Sequence, residues 1–394
     1  MGSILRPAAP SLMLELSTLR TPEELASVAR SWDGMVRAMP RPSPFLLHDW
    51  IAAWERHFGD GRSLEVTVAR RDGEVVGGLA LSVSSVAGVK VAAFPGAHNS
   101  ALADVIVAPG EDDETARAIV EAASRGSQSA IDVFGLPADS RLEAALGGRM
   151  TTIQRVESPV MEAPDGWEAA YQSKTSSKTR NQHKRRRKQL AALGEYSVET
   201  ARTREELEAV MDDVFRLHVA RWAGRPDGTE LGTAQGQAFA REATLALAEA
   251  DIPRIVFLRI GGEPVAFFYY MALEGTMYLY RLAFDPEYAK YSPGLVNALD
   301  ALEIACDEGL TRIEFLGGGE RYKMQLADRV EPLYQGLAVS RGLPGRAYVT
   351  ARRAGIEVRK RAKRSERLRK IYFESLAPVR RRLSRGAGGD DAGA

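Results

Sequence analysis

The chain has 394 residues, of which 45% are hydrophobic and 27% are charged, and its formal net charge is +1. This length predicts two domains, and the composition is typical of a globular protein, neither fibrous nor disordered. The single cysteine, Cys306, excludes an intrachain disulfide and a cysteine-based zinc site. No apolar run reaches the roughly 20 residues of a membrane-spanning helix, and the N-terminus is a poor signal peptide, so a cytoplasmic protein is predicted.

The first half of the chain is predicted to be helices followed by a β-rich unit. Thr21-Pro22-Glu23-Glu24 is a good helix start, because a capping hydroxyl precedes proline and two acids. Asp72-Gly73 between two apolar runs is a strong hairpin signal. In chain order we predict helices over 21–31 and 49–58, strands over 64–70, 75–84, 90–94 and 103–107, a helix over 114–123 and a buried strand over 130–134.

The second half repeats that order. A hairpin turning at Gly261-Gly262 is followed by a strand, a helix and another strand. This pattern predicts an internal duplication, that is, two copies of one α/β unit. The predicted elements are helices over 205–222 and 234–250, strands over 254–260, 264–273 and 277–284, a helix over 295–307 and a strand over 312–316.

Positive charge is concentrated in two stretches of the sequence. Residues 174–188 carry eight basic side chains and no acid, and residues 341–385 carry sixteen against three acids. The first lies in a helical connector between the halves, and the second in arginine-rich helices beyond Gly345. Such separation indicates two basic surfaces that meet an anionic partner, although a solvated helix face is the alternative for either one.

The segment from Tyr278 to Gly294 is the best candidate for a binding site. A strand ends at Phe284, and Ser292-Pro293-Gly294 then opens a helix, with Ser292 as the expected cap and Gly294 allowing close approach of a ligand. The free N–H groups of a helix N-terminus bind anions, and Lys290 adds a positive charge. A pyrophosphate could therefore bind there, whereas an ordinary capped helix is the alternative.

The first half provides an internal control for this site. Its corresponding helix begins after Glu111-Asp112-Asp113-Glu114, and four acids would repel a phosphate. A nucleotide-like cofactor is thus expected only in the second half. There, Gly317-Gly318-Gly319 follows the last strand, and Tyr322 just beyond it could protonate a leaving thiolate or be a structural tyrosine.

Other chemical motifs are weak. The five histidines are scattered without a metal-ligand spacing, and there is no Gly-x-Ser-x-Gly nucleophile motif, so no metal is expected. His218 and Trp222 are four residues apart on one helix face, where they could line a pocket or pack in the core.

Several segments in this order resemble a known family. The residues that carry the resemblance are Pro44-Phe45 with Trp50 and Trp54 through Phe58, Lys178 to Arg180 with Arg185 to Arg187, Leu217-His218 with Arg221-Trp222, Gly262 to Ala266, Ala283 to Asp285, Ser292 to Gly294, Phe315 to Gly318, and Tyr322-Lys323. Together they resemble the cellulose-biosynthesis (CelD/BcsL-type) acetyltransferases of the GNAT superfamily, which are related to the Fem aminoacyltransferases. The resemblance covers roughly residues 40–335.

The resemblance implies an α/β (α+β) fold of tandem GNAT-like domains, each a mixed, mostly antiparallel sheet flanked by helices. The expected divisions are a first GNAT-like domain over 1–165, a basic connector over 166–200, an acyl-CoA-binding domain over 201–340 and a basic C-terminal extension over 341–394. It also implies an acetyl-CoA or other acyl-CoA donor and an amine acceptor on a sugar destined for an exopolysaccharide. The loop from Tyr288 to Gly294 has fewer glycines than the usual GNAT pyrophosphate loop, so CoA use is inferred from the family.

We therefore predict roles for individual residues. Tyr322 is the predicted acid, and Glu314 or Asp285 the predicted base. The cofactor would bind Lys290, Tyr291, Ser292, Pro293 and Gly294. The amino-sugar or sugar-phosphate acceptor would contact Arg180, Arg185, His218, Trp222 and Lys323.

Other partners and functions are open at this point. The basic C-terminus could contact an anionic membrane, or bind a cyclic dinucleotide near Arg381 and Arg385; no DNA partner is expected. The alternative functions are a Fem-like ligase that uses aminoacyl-tRNA and a catalytically silent binding module.

Overall fold

The computed structural model describes residues 13–96, 102–223 and 229–364. The strands are β1 Glu15–Leu19, β2 Arg62–Arg71, β3 Glu74–Val86, β4 Val89–Ala93, β5 Ile106–Val107, β6 Ala130–Leu136, β7 Met150–Val156, β8 Pro159–Glu162, β9 Tyr196–Ala201, β10 Pro253–Ile260, β11 Glu263–Leu273, β12 Thr276–Phe284, β13 Arg312–Glu314, β14 Arg329–Val330 and β15 Leu333–Val339. The helices are α1 Pro22–Ala26, α2 Ala29–Arg37, α3 His48–Phe58, α4 Asp113–Ser124, α5 Arg141–Leu146, α6 Trp167–Lys174, α7 Ser177–Ala191, α8 Arg204–Trp222, α9 Ala234–Ala248, α10 Pro293–Asp307, α11 Arg321–Leu326 and α12 Gly342–Arg364.

Local sequence signals explain many of these boundaries. Thr21 and Glu24 form a capping box at α1, as Thr203 and Glu206 do at α8. Asp72 and Gly73 both have positive φ, of 55° and 82°, as a type I′ hairpin turn requires. The single helix predicted over 21–31 is wrong, because α1 ends at Ala26, after which the Ser27 hydroxyl donates to the Glu24 carbonyl at 2.6 Å.

The two sheets have the same strand plan, which confirms the predicted duplication. One sheet has the order β1-β2-β3-β4-β6-β15-β7, with β5 beside β3, and the other has the order β9-β10-β11-β12-β13-β8-β14. In both, the first four strands are antiparallel and the fourth pairs in parallel with the fifth, β4 with β6 and β12 with β13. The predicted fold class, two mixed and mostly antiparallel sheets flanked by helices, is therefore confirmed.

The halves exchange one strand each, which the predicted domain boundaries did not anticipate. β15 comes from the second half but lies between β6 and β7 of the first sheet. β8 comes from the first half but lies between β13 and β14 of the second sheet. Dividing the chain at residues 165 and 340 therefore assigns strands of one sheet to two different domains, and this is true of both sheets.

This exchange gives a direct prediction for the first predicted domain. A fragment of residues 1–165 lacks β15, so β6 and β7 lose their shared partner and expose unpaired edges. We expect this fragment to be unfolded or aggregated by circular dichroism and thermal melting, whereas the full chain melts cooperatively. Cooperative melting of the fragment would show that the exchanged strand is dispensable.

The halves also share one hydrophobic core. Trp50 on α3 makes edge contacts with Phe239 on α9 and Tyr280 on β12, at centroid distances of 5.0 and 5.5 Å. The hydroxyl of Tyr278 on β12 donates to the Pro42 carbonyl at 2.5 Å. One face of β12 thus packs against the first half and against α8 and α9, while the other face packs against α10.

Candidate active site

The second sheet opens between its two parallel strands. β12 pairs with β13 only over Thr276–Tyr278. Beyond Glu314 the chain follows β8 instead, since the Phe315 N–H donates to the Pro159 carbonyl at 3.1 Å and the Gly318 N–H to the Glu157 carbonyl at 3.2 Å. The gap between residues 279–284 and 315–318, which we call the wedge, leaves one edge of β12 without a strand partner in the described chain.

The first turn of α10 lies against the end of β12. A Cβ on Gly294 would approach the Phe284 ring to 2.8 Å, so glycine is required there for helix–strand packing. The Arg221 guanidinium lies 4.6 Å from the centroid of the same ring. The sequence suggested that Gly294 is a glycine because a ligand approaches it closely. The packing shows a different reason, which is the nearby Phe284 ring.

Ser292 does not cap α10 with its side chain, so that prediction is wrong. Residues Pro286–Tyr291 form a 3₁₀ turn, and Ser292 ends it in the left-handed conformation, at φ 57° and ψ 51°. This conformation turns the hydroxyl away from the first-turn N–H groups. The Leu295 and Val296 N–H groups donate instead to the Ser292 carbonyl, at 3.1 and 3.2 Å, which leaves Gly294 as the first-turn donor facing outward.

Positive charge surrounds this helix start. Lys290 is exposed, with its ammonium 4.9 Å from the Tyr291 ring centroid. The basic helix α7 runs antiparallel to α10, because Leu190 packs in the cluster that includes Val296 and Arg187 pairs with Asp300. The C-terminal end of α7 therefore borders the start of α10 and the 3₁₀ turn.

The predicted acceptor arginines differ in their surroundings. Arg185 is exposed on α7 and has no partner among the described residues. Arg180 reaches back to the Thr175 carbonyl and, at 3.4 Å, to the Gln172 carbonyl, so it satisfies the C-terminal end of α6. Of these two arginines, Arg185 is the one that is exposed.

The corresponding place in the first half is closed. Asp112 accepts from the Glu114 and Thr115 N–H groups at 3.1 and 3.0 Å, so a carboxylate occupies the start of α4. The Ala103 N–H donates to the Gly135 carbonyl at 3.1 Å, alongside β6. Within the described ranges, an open strand edge beside a helix start without a side-chain cap is seen in the second half, whereas the Asp112 carboxylate caps the corresponding helix of the first half.

Tyr322 lies on α11 beside the wedge. Its ring packs edge-on against Phe315 at 6.1 Å, and its hydroxyl is buried with no hydrogen-bond partner among the described residues. Burial, and to a smaller extent Glu320, raises the pKa of Tyr322. The phenol stays protonated at neutral pH and fits a proton donor.

Lys323 holds the glycine-rich loop rather than facing a substrate. Its ammonium is 3.0 Å from Glu320 and donates to the Phe315 and Gly317 carbonyls at 3.4 and 3.2 Å. Leu316, between those carbonyls, has a positive φ of 52°, which is strained for a branched residue. Burial lowers the pKa of Lys323. Its three hydrogen-bond partners leave the ammonium no free N–H for the sugar that would accept the acyl group.

Of the two predicted bases, Glu314 does not fit. It is fully buried and lies on the face opposite Ile313 and Phe315, because side chains alternate along a strand. Arg41 of the first half holds both of its oxygens, at 2.9 and 2.7 Å, and Arg312 adds a contact at 2.6 Å. Glu314 therefore joins the halves and is not available to an amine.

Asp285 stands at the end of β12 and starts the 3₁₀ turn. Its Oδ1 accepts the Glu287 N–H at 2.9 Å, and the residue is partly exposed. A base role is compatible with this position.

His218 and Trp222 share one face of α8, with ring centroids 6.0 Å apart. His218 Nε2 is 2.7 Å from the Thr229 hydroxyl. Burial, aided by Arg281, lowers the pKa of His218 to about 4, so the imidazole is neutral at pH 7. Tyr280, on the strand β12 that packs against α8, was not predicted as a site residue, because its pattern is that of any buried strand aromatic.

The described residues hold neither a metal cluster nor a membrane span. No group of three or more His, Cys, Asp or Glu side chains there could hold a metal ion. None of the helices in the described ranges is both long and apolar enough to span a bilayer. A cavity of about 300 Å³ beside Arg202, Arg254 and Glu308 lies at the opposite end of β12 from the wedge.

Comparison with known proteins defines the class of the second half. Residues 177–324 match the family model described as an acetyltransferase (GNAT) domain. This range contains the wedge, α10 and Tyr322. Together with the fold, the match supports an N-acyltransferase. No curated protein matches the sequence.

Solved structures share the fold over most of the chain. FemX has 11% sequence identity and a TM-score of 0.58, over 85% of this chain and 99% of that one. The C-terminal domain of a putative lysylphosphatidylglycerol synthetase from Agrobacterium fabrum has 14% identity and a TM-score of 0.54, over 85% and 97%. A conserved protein of unknown function from Bacteroides thetaiotaomicron has 15% identity and a TM-score of 0.50, over 82% and 100%. At these identities the likeness concerns the fold alone.

Proposed function

We propose that the second half binds an acyl-CoA in the wedge and transfers its acyl group to the amine of a sugar used in exopolysaccharide synthesis. The observation that carries the donor site is the open edge of β12 beside the start of α10. An extended amide chain such as pantetheine can pair with an unpaired strand edge. Lys290, the Gly294 N–H and the basic helix α7 supply the positive potential that a pyrophosphate needs.

The donor supplies an acyl group activated as a thioester. In the transfer a C–N bond to the acceptor forms, the C–S bond breaks, the amine loses a proton and the thiolate gains one. Tyr322 is the proposed donor of the thiolate's proton. Asp285 is the remaining candidate from the sequence for removal of the amine proton, directly or through water.

The acceptor is proposed from the resemblance to the cellulose-biosynthesis acetyltransferases and from the charge around the site. Arg185 and its neighbours on α7 form an exposed basic surface next to the helix start. A nucleotide-sugar or lipid-pyrophosphate sugar carries phosphates that such a surface attracts.

The donor site is tested by titrating the protein with acetyl-CoA, longer acyl-CoAs and free CoA in a calorimeter. We expect micromolar binding that falls about tenfold in Lys290→Glu, since reversing one exposed charge beside a phosphate changes the binding free energy by about 1.4 kcal/mol. Lys90→Glu is the matched control, because Lys90 is exposed on β4 of the first half. Equal binding by both variants would place the phosphates elsewhere, and no binding of any thioester would overturn the proposal.

A second candidate is a Fem-like ligase that uses aminoacyl-tRNA. The observation that favours it is α7, which carries seven basic residues over Ser177–Ala191 and no acid. The fold likeness to FemX is compatible with it. Transfer RNA binding with a steep salt dependence, together with no CoA binding in the titration, would select this candidate. Binding of acyl-CoA without turnover would instead indicate a silent binding module.

A contact with an anionic ligand at the C-terminus is proposed as well. α12 is fixed on the first sheet because Tyr348 and Arg352 donate to Asp132, at 2.9 and 3.0 Å. Its outer side exposes Leu343, Arg353 and Val358, a mixture that suits an anionic membrane surface. Co-sedimentation with anionic vesicles would indicate a membrane, and binding of a cyclic dinucleotide would indicate that ligand instead. Arg381 and Arg385, which were predicted to bind the dinucleotide, lie outside the described residues.

A further inference from the structure

Besides the Tyr322 hydroxyl, two further buried polar atoms near the wedge have no hydrogen-bond partner among the described residues. They are Nδ1 of His218 and the hydroxyl of Tyr280, in side chains of residues that are only 4% and 7% exposed. A buried polar atom left without a partner costs about 1–3 kcal/mol. Two such atoms in one region indicate that a ligand satisfies them.

The fold brings these residues to one junction. His218 lies near the end of α8, and its Nε2 contacts Thr229, which precedes the 3₁₀ turn Glu230–Gly232. Tyr280 lies on β12, which packs against α8. The Arg281 guanidinium is 4.5 Å from the Tyr280 ring centroid, and its charge also acts on His218.

A β-bulge in β12 occurs at Tyr280. Tyr269 pairs with Arg281 and Tyr270 with Leu279, so Tyr280 is the extra residue without a partner on β11. Bulges redirect a side chain and interrupt the ladder. This one occurs where β12 has left β13, so it lies along the edge of the wedge.

Tyr280 and Tyr322 belong to opposite faces of the second sheet. Tyr280 packs against Trp50 of α3 in the core shared with the first half, and Tyr322 packs with the cluster around α10. A group held at His218 and Tyr280 therefore approaches the wedge from the side opposite Tyr322.

We propose that His218 Nδ1 and the Tyr280 hydroxyl bind the acceptor amine in its uncharged form, and that the site selects weakly basic amines with a neighbouring hydroxyl. This inference rests on the proposed function. With the Nε2 hydrogen donated to Thr229, Nδ1 and the Tyr280 oxygen each accept one N–H of the amine. The nitrogen lone pair is then left for the thioester carbonyl.

The charged groups around the junction are two arginines and one acid, so the net charge is positive and disfavours an ammonium ion. Arg281 faces the junction from β12, Arg221 is on the same helix as His218, and Glu230 acts on Tyr280 from the turn. Because burial keeps His218 neutral, it offers an acceptor but no negative charge. An α-amino group, with a pKa of about 8, is uncharged at pH 7 about two hundred times more often than a lysine amine at about 10.4.

The Tyr280 hydroxyl also has a hydrogen to donate. A hydroxyl on the carbon next to the amine can accept it, and amino-sugars carry that pair of groups. The class of acceptor that fits is thus a vicinal amino-alcohol of low basicity rather than a lysine side chain.

The test uses the full chain saturated with free CoA, which prevents turnover, and glucosamine as the probe. In ¹⁵N-histidine-labelled protein, glucosamine should shift the Nδ1 resonance of His218, identified by its loss in His218→Gln. N-Acetylglucosamine, whose amine is blocked, should not shift it. If CoA itself fails to bind, the proposed function fails; if CoA binds and the His218 resonance does not move, this inference alone is overturned.

Tyr280→Phe tests the second atom without changing the shape of the core. We expect glucosamine affinity to fall about tenfold, as for the loss of one hydrogen bond to the ligand. Tyr270→Phe is the matched control, because its hydroxyl is also buried without a partner in the described chain but lies on the α10 face near Cys306 and Glu308. Equal affinity in the two variants would overturn the role of Tyr280.

Discussion

Replacing Tyr322 with phenylalanine should lower the rate of acyl transfer by about 10²–10⁴-fold, the usual contribution of one positioned acid. The affinity for acyl-CoA should change little, because the ring still packs on Phe315. The physical basis is the buried Tyr322 hydroxyl beside the wedge, which has no partner among the described residues. The measurement is CoA release from acetyl-CoA in the presence of glucosamine, followed with a thiol reagent.

The pH dependence of the same reaction is a further check on this assignment. Since burial raises the pKa of Tyr322 above its ordinary value of 10, the phenol stays protonated as pH rises to 9, and wild-type activity should show no alkaline loss from this group. Tyr270→Phe, which removes a buried hydroxyl remote from the wedge, should keep its activity. A Tyr322→Phe enzyme with full turnover would exclude Tyr322 as the acid.

Removing Arg41 should have the largest effect on stability. Arg41→Met leaves the fully buried Glu314 with Arg312 as its only cationic partner in the described chain. Breaking a buried ion pair from one side typically costs 3–5 kcal/mol, and we expect about 3 kcal/mol because Arg312 remains. Urea unfolding, with the slope compared between variants, measures this free energy.

The matched control is Arg37→Met, which also removes an arginine that reaches from the first half to the second. Its partner Glu274 is 45% exposed and Arg37 is 36% exposed, so this surface pair should contribute less than about 1 kcal/mol. Equal losses of unfolding free energy in the two variants would mean that the burial of Glu314 does not determine the size of the loss. Restored stability in an Arg41→Met, Glu314→Gln double variant would show that the uncompensated charge of Glu314 causes the loss.

The local elements were predictable because their signals are local. The Asp72-Gly73 turn needs only two residues that tolerate positive φ, and the capping box at Thr203 needs only its own first turn. The duplication was visible because both halves repeat one order of apolar runs. The capping of α4 by Asp112 was also visible in the acids at Glu111–Glu114, since a helix start depends on charges within one turn.

The arrangement of the site required the tertiary structure. Nothing near β8 or β15 in the sequence shows that these strands cross to the other half, because pairing between distant segments depends on sheet edges that form only on folding. For the same reason Glu314 looks like a free carboxylate in sequence, although Arg41, 273 positions away, holds it. The Tyr280 bulge depends on the register between β11 and β12. The sequence by itself thus determined most of the elements and the duplication, whereas packing alone decided which polar side chains are paired and which are left without a partner in the described chain, because the partners lie far apart along the sequence.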